Sequence, residues 1–141
     1  MSTYREHPIN RDLTAEDKID LFRQMVRIRR FELEGLRCYT GGKMGGFFVP
    51  DIGQESIPVG VRSIMGPEDH TICGWRGIGH AIAAGMSMDA CMAEHYGKAT
   101  GCCKGKGGAM SLFDPEHRFW GAYGLAAAHT PIAAGGGRRG A

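Results

Sequence analysis

Hydrophobic residues recur at helical spacing near the start of the chain. Ile19, Phe22, Val26, Leu33 and Leu36 follow a capping-box-like "TAED" beginning at Thr14, and Gly41-Gly42 closes the run. This spacing predicts one long amphipathic helix with those five side chains facing a core. Its polar face carries Arg23, Arg27, Arg29, Arg30 and Arg37 beside Glu32 and Glu34. That face reads as a solvated charged surface, with subunit docking as the second reading. A glycine break and an extended piece, "GGFFVPDIGQE", lead into a short helix predicted at about residues 56–64. "HTICGW" is a short β-like run, and the small residues of "GHAIAAG" predict a tightly packed helix over 79–85. Ser87 stands at the N-cap of "MDACMAEHY", which Gly97 stops. "LAAAHTPIAAG" suits a buried helix or strand end, and the final "GGGRRGA" reads as a frayed tail.

Two strand–helix units can be counted, too few for a complete α/β domain. The pattern therefore divides into an N-terminal arm (residues 1–13), a partial α/β domain (14–135) and a tail (136–141), the front part of something larger. No repeat and no long linker interrupts it.

Composition narrows the classes. The chain has 141 residues, with 17 Lys plus Arg against 15 Asp plus Glu, a net charge of +2. So even a balance offers no electrostatic reason to expect nucleic acid or a membrane surface as partner. Acidic residues also interrupt the arginines of the first helix, against a nucleic-acid role. The first twenty residues hold no apolar leader, and no later run reaches the roughly 18 apolar residues of a membrane span. A cytoplasmic protein is expected. Five cysteines without disulfide spacing fit reduced thiols. Glycine, at 23 residues, is about twice its ordinary share, which favours a loop-rich α/β fold over a bundle.

The densest candidate chemistry is "GCCKGKGGAM" (Gly101 to Met110). A phosphate loop needs G-x-x-x-x-G-K-[ST], but here Gly107 stands where the hydroxyl should be and no strong strand precedes. A zinc site needs a second Cys or His pair at ligand spacing, and Cys102 and Cys103 are simply adjacent. No metal ligands are assigned. The scattered histidines His70, His80, His95, His117 and His129 form no HExxH or triad grouping, and no catalytic residue is named. "GWRGIGH" is more informative: an aromatic beside an Arg, on a glycine-flanked turn after a strand, suits a grip on phosphate or carboxylate. Arg76 is the candidate anion ligand.

Four segments in order, "GQES" at Gly53, "WRGIGHA" at Trp75, "YGKATGCCKGKGGAMSLFD" at Tyr96 and "RFWGAYGLAAAHTPIA" at Arg118, carry a resemblance. Together they resemble the α subunit of the E1 component of thiamine-diphosphate-dependent 2-oxo acid dehydrogenases, most of all the bacterial pyruvate and acetoin dehydrogenase chains. The resemblance covers about residues 14–135, and its third segment is the most specific. It implies the N-terminal part of a thiamine diphosphate-binding fold. It also implies an enzyme chain that decarboxylates a 2-oxo acid and acylates a lipoyl group, with thiamine diphosphate and Mg²⁺ as cofactors. An E1 β subunit and a lipoyl acyltransferase are the implied partners. The family's aromatic–Arg pair on the diphosphate falls on Trp75 and Arg76, with Trp in place of Tyr. The backbone that holds the aminopyrimidine falls on Gly124 and Ala126. The family's histidines fall on Val49, Ile78 and Ser111, three departures. Its "GDG…N" segment, which binds Mg²⁺, lies beyond the last residue, so the chain is expected to be an N-terminal fragment. A catalytically inactive module that only binds a partner is the alternative.

Overall fold

A computed structural model of the chain describes residues 12–137. Its longest element, α1 (Ala15–Thr40), begins as its sequence dictates. The Thr14 hydroxyl accepts the Asp17 N–H at 3.1 Å, and the Asp17 carboxylate accepts the Thr14 N–H at 2.9 Å. Each satisfies a donor that the first helical turn leaves unpaired. The Gly41 N–H closes the far end on the Arg37 carbonyl at 3.1 Å.

The face that α1 buries differs from expectation. Ile28, Phe31, Glu32, Gly35 and Cys38 lie inside, whereas Ile19, Phe22, Val26 and Leu33 are exposed, Phe22 by 64%. Leu36 alone of the expected five packs partly against the core. The helix carries two apolar stripes at helical spacing, and periodicity cannot tell which one meets neighbours. Contact with the following helices selects the stripe through Ile28. The charged face is corrected too: Glu32 is fully buried, and Arg29 is half engaged by Glu55.

Helix α2 (Ser56–Ser63), strand β1 (Thr71–Cys73), α3 (Ile78–Ala84) and α4 (Met88–His95) follow close to their expected bounds. The Ser87 hydroxyl caps α4 by accepting the Ala90 N–H at 3.4 Å. Short 3₁₀ turns at Gly108–Met110 and Pro115–His117 lead into β2 (Phe119–Ala122). The two strands run parallel, pairing Thr71 with Phe119 and Cys73 with Ala122, with an irregularity between. A parallel pair needs a long crossover, and α3, α4 and the glycine-rich loop supply it. Helix α1 crosses α2, α3 and α4, and the shared core is Ile28, Phe31, Phe48, Val59, Ile78, Ile82, Leu112 and Phe119.

The small-residue run ends as α5 (His129–Gly137), not as a buried element. Residues 130–136 are exposed and Leu125 is 77% exposed, because this helix packs mainly against the short strand β1. Residues 136 and 137 of the expected tail belong to α5; the remainder of it, and residues 1–11 of the arm, lie outside the described residues. The architecture is a mixed helical arrangement around a two-stranded parallel sheet, compatible with an α/β class. No helix among the described residues is long and apolar enough to cross a membrane.

Candidate functional site

The chain leaves β1 through Gly74, and the next two residues are Trp75 and Arg76. The Arg76 guanidinium carbon lies 4.6 Å from the centre of the Trp75 ring, a cation–π contact that limits where the charge can swing. Gly77 then enters α3 against β2. A Cβ on Gly77 would stand 2.2 Å from the Ala122 Cβ, so only glycine lets helix and strand close this tightly. That junction fixes the turn bearing Arg76. Asp51, Gln54, Cys73, Trp75, Arg76 and His80 line a cleft of about 250 Å³ here.

The floor of the cleft is acidic. Asp51 is 4% exposed, and its carboxylate accepts the Gly79 N–H at 3.0 Å. Its own N–H is held by the Glu32 carboxylate at 2.8 Å. Burial pushes the Asp51 pKa up to about 6, against the Gly79 donor and the Arg76 charge, which pull it down. Burial raises Glu32 further, to about 8, and its second oxygen has no hydrogen-bond partner. Nearby, Arg29 grips Glu55 through Nε and, at 2.9 Å, through Nη2, while the Gly53 N–H donates to the same carboxylate at 3.0 Å. The Arg29 bond holds Glu55 down at about 2. Burial lowers the His80 pKa and so disfavours its charged form.

The loop after α4 is organised from beneath by Glu94. This side chain is fully buried, and its Oε2 accepts the N–H groups of Cys103 (2.8 Å) and Gly105 (2.9 Å). Oε1 accepts those of Gly107 (2.7 Å) and Gly108 (3.3 Å). Burial works to raise the Glu94 pKa, but the four donors outweigh it and hold the carboxyl below its usual range. A Cβ on Gly101 would sit 2.3 Å from Oε2, so the loop wraps the carboxylate too closely for a side chain there. The backbone amides that a phosphate loop would aim at a ligand are therefore spent on the protein's own anion, in line with the sequence's failed P-loop pattern. Lys104 and Lys106 point to the exposed side.

Among the candidate site residues, Trp75 and Arg76 share the cleft. Gly124 and Ala126 occupy the exposed turn after β2, where Gly124 lies beside Met110, and they are not among the cleft's lining residues. His129, at the start of α5, reaches Gly74, so the turn ends next to the cleft mouth.

Comparison with known proteins decides the family. A model of the dehydrogenase E1 component matches residues 23–140. The chain belongs to the dehydrogenase E1 component family. It is 41% identical over 122 residues to the pyruvate dehydrogenase E1 component subunit alpha of Rickettsia felis, covering 86% of this chain and 37% of that one. The Rhizobium meliloti subunit of the same name is 39% identical over 124 residues (88% and 36%). The chloroplastic alpha-3 subunit of Arabidopsis thaliana is 35% identical over 123 residues (87% and 29%). The chain thus spans between 29% and 37% of the length of these relatives.

In this E1 chain the three residues expected at the family's histidine positions have different settings. Ile78 is fully buried in the core, where its apolar side chain packs at the start of α3. Val49 is half-buried, and Ser111 offers its carbonyl to the Cys103 thiol at 3.3 Å. Sequence reading missed Asp51, Glu32 and Glu94. The first two had a faint signal, an acidic residue in an otherwise apolar extended piece and one inside a helix stripe. Glu94 had none, because its partners lie nine to fourteen residues downstream.

Proposed function

We propose that this chain carries the N-terminal part of the α-type subunit of a thiamine-diphosphate-dependent 2-oxo acid dehydrogenase. The relatives' names point to pyruvate as the 2-oxo acid, with acetoin the other substrate of the resembling chains. The observation that carries the reading is the Arg76 guanidinium, fixed over the Trp75 ring at the mouth of a cleft. Arg76 supplies the positive charge and the N–H donors that suit the diphosphate end of the cofactor, with the Asp51 carboxylate opposing it from the same cleft. Arg76 would hold that end with Trp75 beside it, and the backbone at Gly124 and Ala126 would meet the aminopyrimidine ring. When bound, the cofactor supplies the carbanion stabilisation that decarboxylation of a 2-oxo acid needs. The protein's own work is orientation: Gly77 locks the turn, the Trp75 ring limits the guanidinium, and the Asp51 carboxylate lies close enough to Arg76 to feel its charge. We assign no Mg²⁺ ligand to this chain. An E1 β-type chain and a lipoyl acyltransferase are the proposed partners, and the cytoplasm the proposed location.

One observation favours a second reading, a partner-binding module without turnover. Ile19, Phe22 and Val26 on α1, and Ile57 and Val61 on α2 with Ile64 just past its end, present apolar stripes to the outside.

Calorimetric titration of thiamine diphosphate, with and without Mg²⁺, tests the assignment. The expected result is weak, salt-sensitive binding that Arg76→Ala removes. Binding unchanged in Arg76→Ala would overturn the role of Arg76, and micromolar Mg²⁺-dependent affinity would overturn the absence of an Mg²⁺ ligand.

A further inference from the structure

The loop that Glu94 organises also brings two thiols together. Side chains of neighbouring residues in extended backbone point to opposite sides. Here the chain turns at Gly101–Lys104, with Lys104 at φ 58°, and the Sγ atoms of Cys102 and Cys103 come to 3.9 Å. Both cysteines are free and only partly buried. Together with a Glu94 carboxylate oxygen their sulfurs form a group whose ligand atoms all lie within 4.8 Å of one another. No other such group of three or more His, Cys, Asp or Glu exists among the described residues.

The separation is chemically selective. With metal–sulfur bonds of about 2.3 Å, two thiolates at a tetrahedral ion stand about 3.8 Å apart, whereas a linear ion would hold them about 4.6 Å apart. The pair matches the tetrahedral case. Glu94 is a poor third ligand, because four backbone N–H groups already occupy its lone pairs. Its charge remains nearby and favours a cation. Two thiolates without a third protein ligand suit a soft ion that accepts water at its remaining positions.

The geometry points to a dithiolate site at Cys102 and Cys103 for soft divalent d¹⁰ cations, preset by the Glu94-pinned loop. Binding exchanges two S–H bonds for two metal–sulfur bonds, and the two protons leave to solvent, so no oxidant or reductant enters. The site is independent of the cleft at Arg76 and of the reaction proposed there.

Cadmium is the probe. Titrated into the full chain reduced with a phosphine, Cd²⁺ should produce a thiolate-to-metal charge-transfer absorption that saturates at one ion per chain. Cys102→Ser or Cys103→Ser should abolish it, while Cys38→Ser, Cys73→Ser and Cys91→Ser keep it. In the unsubstituted chain, Cd²⁺ should protect Cys102 and Cys103 from iodoacetamide, mapped by mass spectrometry, which needs no variant to fold. Affinity should fall at least roughly tenfold in denaturant, since the folded loop holds the pair in place. Absorption that survives Cys103→Ser, protection that falls on other cysteines, or equal affinity in the denatured chain would each overturn the site.

Discussion

The Glu94 carboxylate accepts the backbone N–H of Gly107 at 2.7 Å, thirteen residues downstream, and three more amides of the same loop converge on it. This relationship explains why a stretch so rich in glycine and lysine is not a phosphate cradle. An anion already fills it, and that anion is part of the fold.

Replacing Glu94 should be among the most damaging single changes. Glu94→Ala leaves four partly buried donors without an acceptor, and each unsatisfied group costs about 1–3 kcal/mol before water enters. A loss of at least ~3 kcal/mol is expected, a large part of the stability of a small domain. Glu94→Gln keeps one acceptor oxygen but turns an amide N–H₂ against two donors, so it should fall in between. Urea unfolding measures both, and amide exchange at Cys103, Gly105, Gly107 and Gly108 should speed up first. Unchanged protection of those four amides in Glu94→Ala would refute the pinning role.

Three buried groups should make stability depend on pH. Burial lowers the His95 pKa from 6.5 to about 4, so its contribution is complete above 6.5 and is lost as pH falls toward 4. Glu32 acts on the other side. Its pKa rises from 4.5 to about 8, so the unfolded chain releases this proton first, and stability falls as pH climbs through that window. Asp51 adds a similar slope that ends at about 6. Between pH 6.5 and 8 the decline should therefore belong mainly to Glu32, and Glu32→Gln should flatten it. A slope that persists in the variant would assign the decline to another group.

Gly77→Ala tests the junction that positions Arg76. The added methyl would approach the Ala122 Cβ to 2.2 Å and the Cys73 sulfur to 3.2 Å, which β2 and α3 can accommodate only by separating. Overpacking of this kind costs about 1–3 kcal/mol. Diphosphate binding should weaken together with stability. A variant as stable as the parent would mean that the junction yields freely.

The local signals in the sequence were reliable where one residue decides the outcome. Thr14 and Ser87 cap their helices as their hydroxyls require, and Trp75 and Arg76 lie on a turn straight after a strand. Decisions made between distant residues were not legible. Which stripe of α1 turns inward depends on α2, α3 and α4, so Phe22 and Ile28 look alike in the sequence while one is exposed and the other buried. Cys102 and Cys103 likewise carry no ligand spacing, and only the turn of the loop makes them neighbours on one side. The buried carboxylates Glu32, Asp51 and Glu94 break the rule that charge stays outside, because each has backbone N–H donors that no local pattern announces.

The apolar stripes on α1 and α2 make the final prediction. Ile19, Phe22 and Val26 are spaced at i, i+3 and i+7 and form a line on α1, while Ile57 and Val61 are spaced at i and i+4 on α2 and Ile64 follows at its C-terminal cap. Between the two helices runs a groove of about 470 Å³, with Leu21 and Val59 inside and Asp17, Asp20 and Arg62 along it. Exposed apolar surface of this extent favours association of the isolated chain. Phe22→Lys and Ile64→Lys should each leave stability within about 0.5 kcal/mol, since Phe22 is 64% and Ile64 85% exposed and neither supports the core. Combined, they should move the chain toward a monomer in concentration-dependent size-exclusion chromatography. If the double variant associates as strongly as the parent, the stripes are not what holds the copies together, and the exposed helix α5 with Leu125 becomes the surface to test.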